Sequence, residues 1–261
     1  MGGMRRLLTG IASGTALIVL WYGVVHIFQI PWYILPSPES VFVTFERGIY
    51  DVIAEGTPMA PQGFIKPTIE TLKAAFFGFL IGTSVGITGG VLLAELPIIE
   101  RLFLPYIAAF QSLPKIALVP LFMIWFGIGS ASKIALSAAL VFFPVLMSTL
   151  NGFHGVDPDR VALTRSYNAG GLQTVRFVTF PSALPFIFAG LELGVVYAML
   201  GTIAAELVSG NEGIGARLMS QQSGSDVSGM FALLIITGVI GATLHLAMRR
   251  LKKKVIFWGS E

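Results

Sequence analysis

The sequence contains no cysteine, which excludes a disulfide framework, a thiolate metal site and a cysteine nucleophile. Charged residues are also scarce: they make up 12% of the 261 residues, against about 25% in an ordinary soluble domain. Hydrophobic residues make up 54% of the chain. Because long uncharged stretches recur along nearly the whole chain, the composition predicts one membrane domain over residues 1–261 and leaves no room for a separate water-soluble domain.

Motifs of several enzyme classes are missing as well. The chain has no G-x-x-x-x-G-K-[ST] loop to hold phosphate, no H-E-x-x-H and no G-x-S-x-G. Its three histidines, His26, His154 and His245, lie in separate segments and are better explained as helix-end or interfacial residues than as metal ligands. We therefore expect no catalytic residue, metal or cofactor in this chain. Nucleic acid is not an expected partner, because the formal charge of +3 comes from cations that border the apolar stretches.

Six stretches are long enough to cross a bilayer, which takes about 20 apolar residues in a helix. They are residues 7–30, 74–94, 104–125, 134–153, 182–205 and 227–248. The first is longer than the core of a secretory signal and lacks a small-residue cleavage site, so we expect it to remain as a helix. The sequence thus predicts an all-α, polytopic membrane protein with six transmembrane helices.

Lysine and arginine are distributed unevenly between the two sides of this predicted path. Eleven of the seventeen fall on one side, five on the other, and Lys115 lies within a span. The excess predicts that both termini are cytoplasmic. Segment 31–70 then faces outward, where Val41, Phe42 and Phe45 suggest a short amphipathic helix on the membrane surface.

The longest inward segment, 151–181, contains signals for two short helices. Asp157 followed by Pro158 predicts a helix start. This helix should run to about Asn168 and break at Gly170 and Gly171, and a second helical piece should end before Pro181. Two interpretations remain: an amphipathic connector at the membrane interface, or a rigid knob that docks on a soluble partner. The pattern by itself favours the connector.

Five fragments of the chain resemble a known family. They are ILPSPESV, LPKIALVPLFMIWFGIGSASKIALSAALVFFPVL, GVDPDRVALTRSYNAG, FPSALPFIFAGL and SGNEGIGARL, in this order. Together they resemble the membrane subunits of ATP-binding-cassette (ABC) importers, in the branch of nitrate, sulfonate, taurine and bicarbonate permeases, over nearly the whole chain. The resemblance implies a type I-like permease fold in the bacterial inner membrane. It also implies a second permease copy or related permease, an external binding protein that delivers substrate, and two cytoplasmic ATPase subunits that carry ATP and Mg²⁺.

In that family the inward loop carries the EAA motif, whose glutamate, two alanines and glycine shape a helix that couples to the ATPase. Counting back from Pro181, this chain has Ala162, Leu163, Thr164 and Asn168 at those four positions. The resemblance still implies docking of an ATPase here, through Asp157, Pro158, Ala162, Arg165, Tyr167, Asn168, Ala169 and Gly170. A heterodimer whose other permease carries the regular motif would explain the departure.

Two charged residues lie within predicted spans, where a charge is costly. Lys115 lies between Pro114 and Pro120, so it is equally well explained as an anion-attracting group of the substrate path or as a lysine that reaches the headgroups. Glu192 stands where the family more often has a cation. We favour an ion pair with a basic residue of a neighbouring helix over contact with substrate.

Four glycines, Gly78, Gly82, Gly86 and Gly90, recur at every fourth position of the second span and predict a face for close helix packing. Two other functions stay open: a secondary carrier or channel, for which no inverted repeat is seen, and a membrane scaffold that does not transport. Nitrate, sulfonates, bicarbonate or a heterocyclic vitamin precursor all fit as substrate, and the favoured class is a small organic or inorganic anion.

Overall fold

The computed structural model describes residues 2–54 and 63–258, and every regular element within them is helical. The α-helices are α1 (Gly2–Ile27), α2 (Pro38–Ala54), α3 (Ile65–Glu95), α4 (Pro97–Ser112), α5 (Val119–Phe126), α6 (Ser130–His154), α7 (Pro158–Ser166), α8 (Gly171–Thr174), α9 (Phe180–Ser209), α10 (Ile214–Ser223) and α11 (Val227–Val255). A 3₁₀ turn, Lys115–Leu118, precedes α5, and a π-helical turn, Val175–Thr179, joins α8 to α9.

Four helices are each long and apolar enough to cross a membrane: α3, α6, the continuous helix Gly171–Ser209, and α11. The third predicted span is instead a bent pair, because Pro97–Ser112 and Lys115–Phe126 meet at 93°. The continuous part of α1 whose side chains are described, Ala12–Ile27, is apolar but too short by itself for a full crossing, whereas α1 has 26 residues. Within the described residues there are thus four continuous crossings, or five with the bent pair, where the sequence predicts six.

The bend follows from the two prolines of this segment. Leu113 has extended backbone angles, φ −70° and ψ 140°, since the residue before a proline is disfavoured in the α region. Pro120 lies in the first turn of α5, where its missing N–H removes no helical hydrogen bond. Pro114 and Pro120 therefore divide the segment into two separate helices instead of leaving one helix with weakened hydrogen bonds.

At the centre of the bundle, α6 lies between α3 and α9, and glycines line both contacts. The four glycines of the predicted packing face are buried, and all four face α6. A Cβ atom added at Gly82 would lie 2.5 Å from the Ala138 carbonyl oxygen. One added at Gly190 of α9 would lie 2.7 Å from the Ser148 Cβ atom. Side chains at these positions would force the helices apart.

Helix α2 packs on the bundle instead of lying free on a surface. Val41 is buried in a cluster with Ile214 of α10 and Leu233 of α11, and Phe45 packs at its edge. Phe42, which the sequence places on the same amphipathic face, is exposed. The predicted helix is therefore present, but its apolar residues point in different directions. Residues 55–62 of the predicted external segment lie outside the described residues.

The fifth predicted span begins earlier than expected. Its helix starts at Gly171 and continues through the π-helical turn into α9, for 39 residues in total. The prediction that a separate helical piece ends before Pro181 is therefore wrong. Pro181 lies in the first turn of α9, directly after the π-helical turn, where the wider winding accommodates a residue without an N–H.

Candidate functional site

The segment between α6 and α9 forms a rigid helix-turn-helix. Its first helix, α7, starts at Pro158 as predicted, with the Asp159 N–H donating to Asp157 Oδ1 at 2.9 Å. The two helices are tied together by the hydroxyls of Thr164 and Thr174, which lie 3.1 Å apart. Helix α7 ends at Ser166, slightly before the predicted end at Asn168. The bundle end that carries this segment is called the loop end below.

The turn after α7 contains a residue with positive φ at the position where the family motif has a glycine. Asn168, which occupies the glycine position, has φ +53°, and asparagine is among the few residues that adopt this region readily. The next residue continues the turn, because the Ala169 N–H donates to the Thr164 carbonyl at 3.1 Å. Asn168 is thus a residue that can adopt the positive φ of this turn.

Four large apolar side chains of the helix-turn-helix are exposed, by 59 to 83%. This loop patch consists of Leu163, Tyr167, Leu172 and Phe177. Of the other predicted coupling residues, Asp157, Pro158, Ala162, Asn168 and Gly170 are exposed and Ala169 is half-buried. The side chain of Arg165 lies outside the described part of the chain. The described coupling residues are thus accessible, with Ala169 less so than the rest.

Lys115 lies at the break between α4 and α5 and is half-buried. Its Nζ atom lies 5.8 Å from the ring centre of Phe143 and 5.5 Å from that of Tyr197. These rings belong to the middle of α6 and of α9, and such contacts are attractive cation–π geometry. No ion pair among the described residues includes Lys115.

Glu192 forms an ion pair with α11: its Oε1 atom lies 3.5 Å from Lys252 Nζ. Lys252 is a basic residue of a neighbouring helix, which is the kind of partner that we predicted for Glu192. Glu192 and Lys115 form no ion pair with each other. The two charges predicted within spans thus belong to different environments.

Sequence reasoning missed the most buried polar network of the described residues. Glu206 is fully buried at the end of α9 opposite the loop end. Its carboxylate accepts hydrogen bonds from the Thr71 hydroxyl at 2.8 and 2.9 Å and from the Gly215 N–H at 3.0 Å. Lys133 Nζ lies 3.7 Å from Glu206 Oε1 and donates to the Glu212 carbonyl at 2.6 Å. This Glu206 network joins α3, α6, α9 and α10.

This network bears on two features of the sequence. Lys133, one of the five cations that the charge count places on the outward side, lies in α6 and is only 3% exposed. The predicted fifth span ends at residue 205, one position before Glu206, whereas α9 continues to Ser209. The sequence signal for this buried network is an acidic residue directly after an apolar run, followed by closely spaced glycines. Gly213, with φ +105°, packs so close to the Glu206 carboxylate that a side chain there would collide with it.

A polar cavity of about 360 Å³ lies beside the Glu206 network. Lys66, Glu70, Glu212 and Arg217 are among its lining residues. Burial lowers the pKa of Arg217 below its usual value, and the charge of Asp226 opposes this shift. No group of three or more metal-binding side chains is present in residues 2–54 and 63–258.

Helix α4 is packed loosely against the rest of the chain. None of its residues is buried, and an apolar cavity of about 750 Å³ separates it from α3 and α6. Phe103, Phe110 and Phe143 are among the lining residues. Glu100 near its start lies 3.3 Å from His154 at the end of α6, which leaves most of the helix free to meet another surface.

Comparison with known proteins identifies the family. Residues 86–257 match the family described as binding-protein-dependent transport system inner membrane component. The putative aliphatic sulfonates transport permease protein SsuC of Bacillus subtilis (strain 168) is 30% identical over 95% of this chain and 87% of its own length. The taurine transport system permease protein TauC of Escherichia coli (strain K12) is 30% identical over 98% and 92%.

A similar fold occurs in a solved structure, the inward-facing MetNI methionine ABC transporter. The TM-score is 0.59 with 20% sequence identity, and the match covers 83% of this chain and 98% of that chain. At this identity the likeness supports the fold alone. Together with the family match over residues 86–257 and the relatives at 30% identity, it leads to one conclusion: the chain belongs to the binding-protein-dependent transport system inner membrane components and is a multi-pass ABC transporter permease subunit.

Proposed function

We propose that this permease forms half of the membrane path of an importer for a small anion, and that separate ATPase subunits drive it from the loop end. ATP and Mg²⁺ are bound by those subunits. An external binding protein delivers the substrate at the opposite end. The relatives named for aliphatic sulfonates and taurine support a sulfonate-like anion as the substrate class.

The observation that carries the proposal is the loop patch on its rigid support. An exposed group of large apolar side chains is expected to mark a docking surface. Here the supporting turn is fixed by the cap at Asp157 and by the bond between Thr164 and Thr174. A rigid apolar knob can transmit the motion of a bound ATPase to α9, because α8 and α9 belong to one continuous helix.

The distribution of cations supports the orientation. On the six-crossing path expected from the sequence, eleven of the seventeen Lys and Arg residues fall on the side that includes the loop end and both termini, so we propose that this side is cytoplasmic. The Glu206 network and the polar cavity beside it then face outward, where a binding protein would dock.

The break at Lys115 supports the substrate path. Irregular backbone at membrane depth is tolerated where it is buried in protein or lines a water-filled cavity. The ammonium group of Lys115 has no acidic partner among the described residues, so its charge remains available to attract an anion. A second permease, identical or related, would complete the path along the unburied face of α4.

Co-purification tests the docking surface. Tyr167→Asp and Leu163→Asp each place a charge in the loop patch, and we expect recovery of the co-expressed ATPase to fall about tenfold, because the charge would be buried without a partner. Asn151→Asp is the matched control, since it adds the same charge to an exposed position at the end of α6. Unchanged recovery for both patch variants would contradict docking at this loop.

Uptake into membrane vesicles tests the path in the same assembly. With an alkanesulfonate as the probe, Lys115→Met should lower ATP-dependent uptake while ATPase recovery stays normal, and Lys115→Arg should retain more activity. Normal uptake by Lys115→Met would remove Lys115 from the path. Uptake without ATP would indicate a secondary carrier or channel, and ATPase binding without any uptake would indicate a scaffold.

A further inference from the structure

Apolar stripes of three helices face one cleft of about 370 Å³. On α3 the stripe runs from Leu72 to Phe79, and on α11 it runs from Leu244 to Leu251, both at steps of three and four residues. Helix α9 contributes Val195 and Met199. Steps of three and four residues place side chains on one face of a helix. Three such faces therefore converge on a space that this chain leaves unfilled.

The cleft exists because α11 packs tightly only at its start. The buried residues of α11 are Gly229, Ala232 and Leu233, all within its first two turns. Farther along, α11 is held to α9 by the ion pair of Lys252 with Glu192. The cleft thus lies between a packed helix start and an ion pair near the helix end.

The ion pair belongs to a cluster of cations at the end of α11. Arg249, Arg250, Lys252, Lys253 and Lys254 occupy five of six consecutive positions, and the sixth is Leu251, which lines the cleft. Lys252 is paired with Glu192. Arg249, Arg250 and Lys254 are exposed. An apolar cleft therefore ends among positive charges.

We propose that this cleft binds an acyl chain of an anionic phospholipid, whose phosphate group lies against Arg250 and Lys254, four residues apart on one side of α11. The apolar stripes match a hydrocarbon chain, and the cations match a headgroup with net negative charge. Clusters of basic residues directly beside a membrane-spanning helix attract anionic lipids in this way. A bound lipid would fill the space between α11 and α3 that the chain itself leaves open.

Photolabelling in nanodiscs tests the proposal with the full-length permease. The probe is phosphatidylglycerol with a diazirine on one acyl chain, and phosphatidylcholine with the same chain is its comparison. We expect phosphatidylglycerol to label peptides that contain residues 244–251 and 72–79, and phosphatidylcholine to label them far less. Equal labelling by both lipids, or labelling spread evenly over all faces of α11, would overturn the proposal.

Two sets of variants test headgroup recognition and acyl-chain binding independently. Arg250→Gln with Lys254→Gln should weaken labelling by phosphatidylglycerol about tenfold, since each cation near the surface adds attraction. Arg101→Gln with Arg160→Gln removes two exposed cations elsewhere at the loop end and should have no effect. If the α11 pair and its control behave alike, the charge recognition proposed here is absent.

Ala247→Phe fills the cleft and should reduce labelling, whereas Ala242→Phe places the same ring on α11 outside the cleft lining. Equal labelling by these two variants would contradict occupation of the cleft by an acyl chain. Excess inorganic phosphate should not displace the lipid, because phosphate lacks the chain; displacement would reduce the site to an anion site and overturn the proposal. Crosslinking between two permease copies through Leu244–Leu251 would also overturn the proposal.

Discussion

Asn168 determines whether the turn of the coupling segment forms without strain. Its φ of +53° lies in the left-handed region, which costs most residues about 1–2 kcal/mol. We expect Asn168→Gly to leave ATPase co-purification unchanged and Asn168→Val to reduce it, because valine would disfavour the turn. Equal recovery with both variants would show that the turn does not limit docking.

We expect the contributions of Glu206 and Lys133 to the stability of the fold to depend on each other. Removing one partner of a buried pair leaves an uncompensated charge, which costs about 3–5 kcal/mol. Glu206→Gln and Lys133→Met should each lower the free energy of unfolding by this amount, and the double variant should lose less than the sum of the two. Thermal unfolding of the detergent-solubilised permease measures these differences.

An exposed ion pair provides the control for this prediction. Lys73 lies 2.9 Å from Glu70 and is largely exposed, so Lys73→Met should cost about 0–1 kcal/mol. Strictly additive losses in the Glu206 and Lys133 variants would contradict direct coupling between the two side chains.

For single residues, the sequence predicts local hydrogen bonding better than it predicts which side chains are buried. The cap at Asp157 was accessible because it depends on neighbours within a few residues, whereas Asn168 was noted only as a departure from the family's glycine. The burial of Lys133 was not accessible, because it depends on residues more than 70 positions away, such as Glu212. Counting cations by their position between predicted spans says nothing of their burial, and Lys133 lies within α6.

Between elements, the contact of α3 with α6 is sensitive to a single methyl group. A Cβ atom at Gly82 would lie 2.5 Å from the Ala138 carbonyl oxygen, so Gly82→Ala should lower the free energy of unfolding by about 1–3 kcal/mol. Gly241→Ala is the matched control, because a Cβ atom there meets nothing within 4 Å. It should be neutral or stabilise α11 by about 0.5–1 kcal/mol. Similar thermal unfolding of both variants would contradict the packing role of Gly82.

The elements themselves were predictable to different degrees. Length and apolarity identified α3, α6 and α11, since a bilayer crossing has a strong signal. The prolines indicated disturbance near Lys115 but not a 93° bend, because proline restricts the preceding residue without specifying the direction of the next helix. Pro181 misled the prediction because the π-helical turn that accommodates it has no signal in the sequence that we recognise.

For the molecule as a whole, orientation can be tested directly because the chain has no cysteine. Ser166→Cys at the loop end and Asn211→Cys at the opposite end each introduce one exposed thiol. A membrane-impermeant maleimide should label Asn211→Cys in intact cells and Ser166→Cys only after permeabilisation. The reverse pattern would place the loop patch outside the cell, where no ATPase could reach it.

The overall architecture was predictable as an all-helical permease, because hydrocarbon thickness constrains helix length and the quoted fragments resemble one family. The position of α6 between α3 and α9 was not, since periodic glycines predict a close contact without naming the partner helix. The cavity beside α4 was also inaccessible, because it depends on how far α4 stands from α3 and α6.

The helix Gly171–Ser209 extends about 58 Å at 1.5 Å per residue. One tip bears Leu172, the other bears Glu206, and between them Gly190 and Gly201 press against α6. The Glu206 network fastens the second tip to α3, α6 and α10, so we expect a pull on the Leu172 tip to move these three helices together with α9.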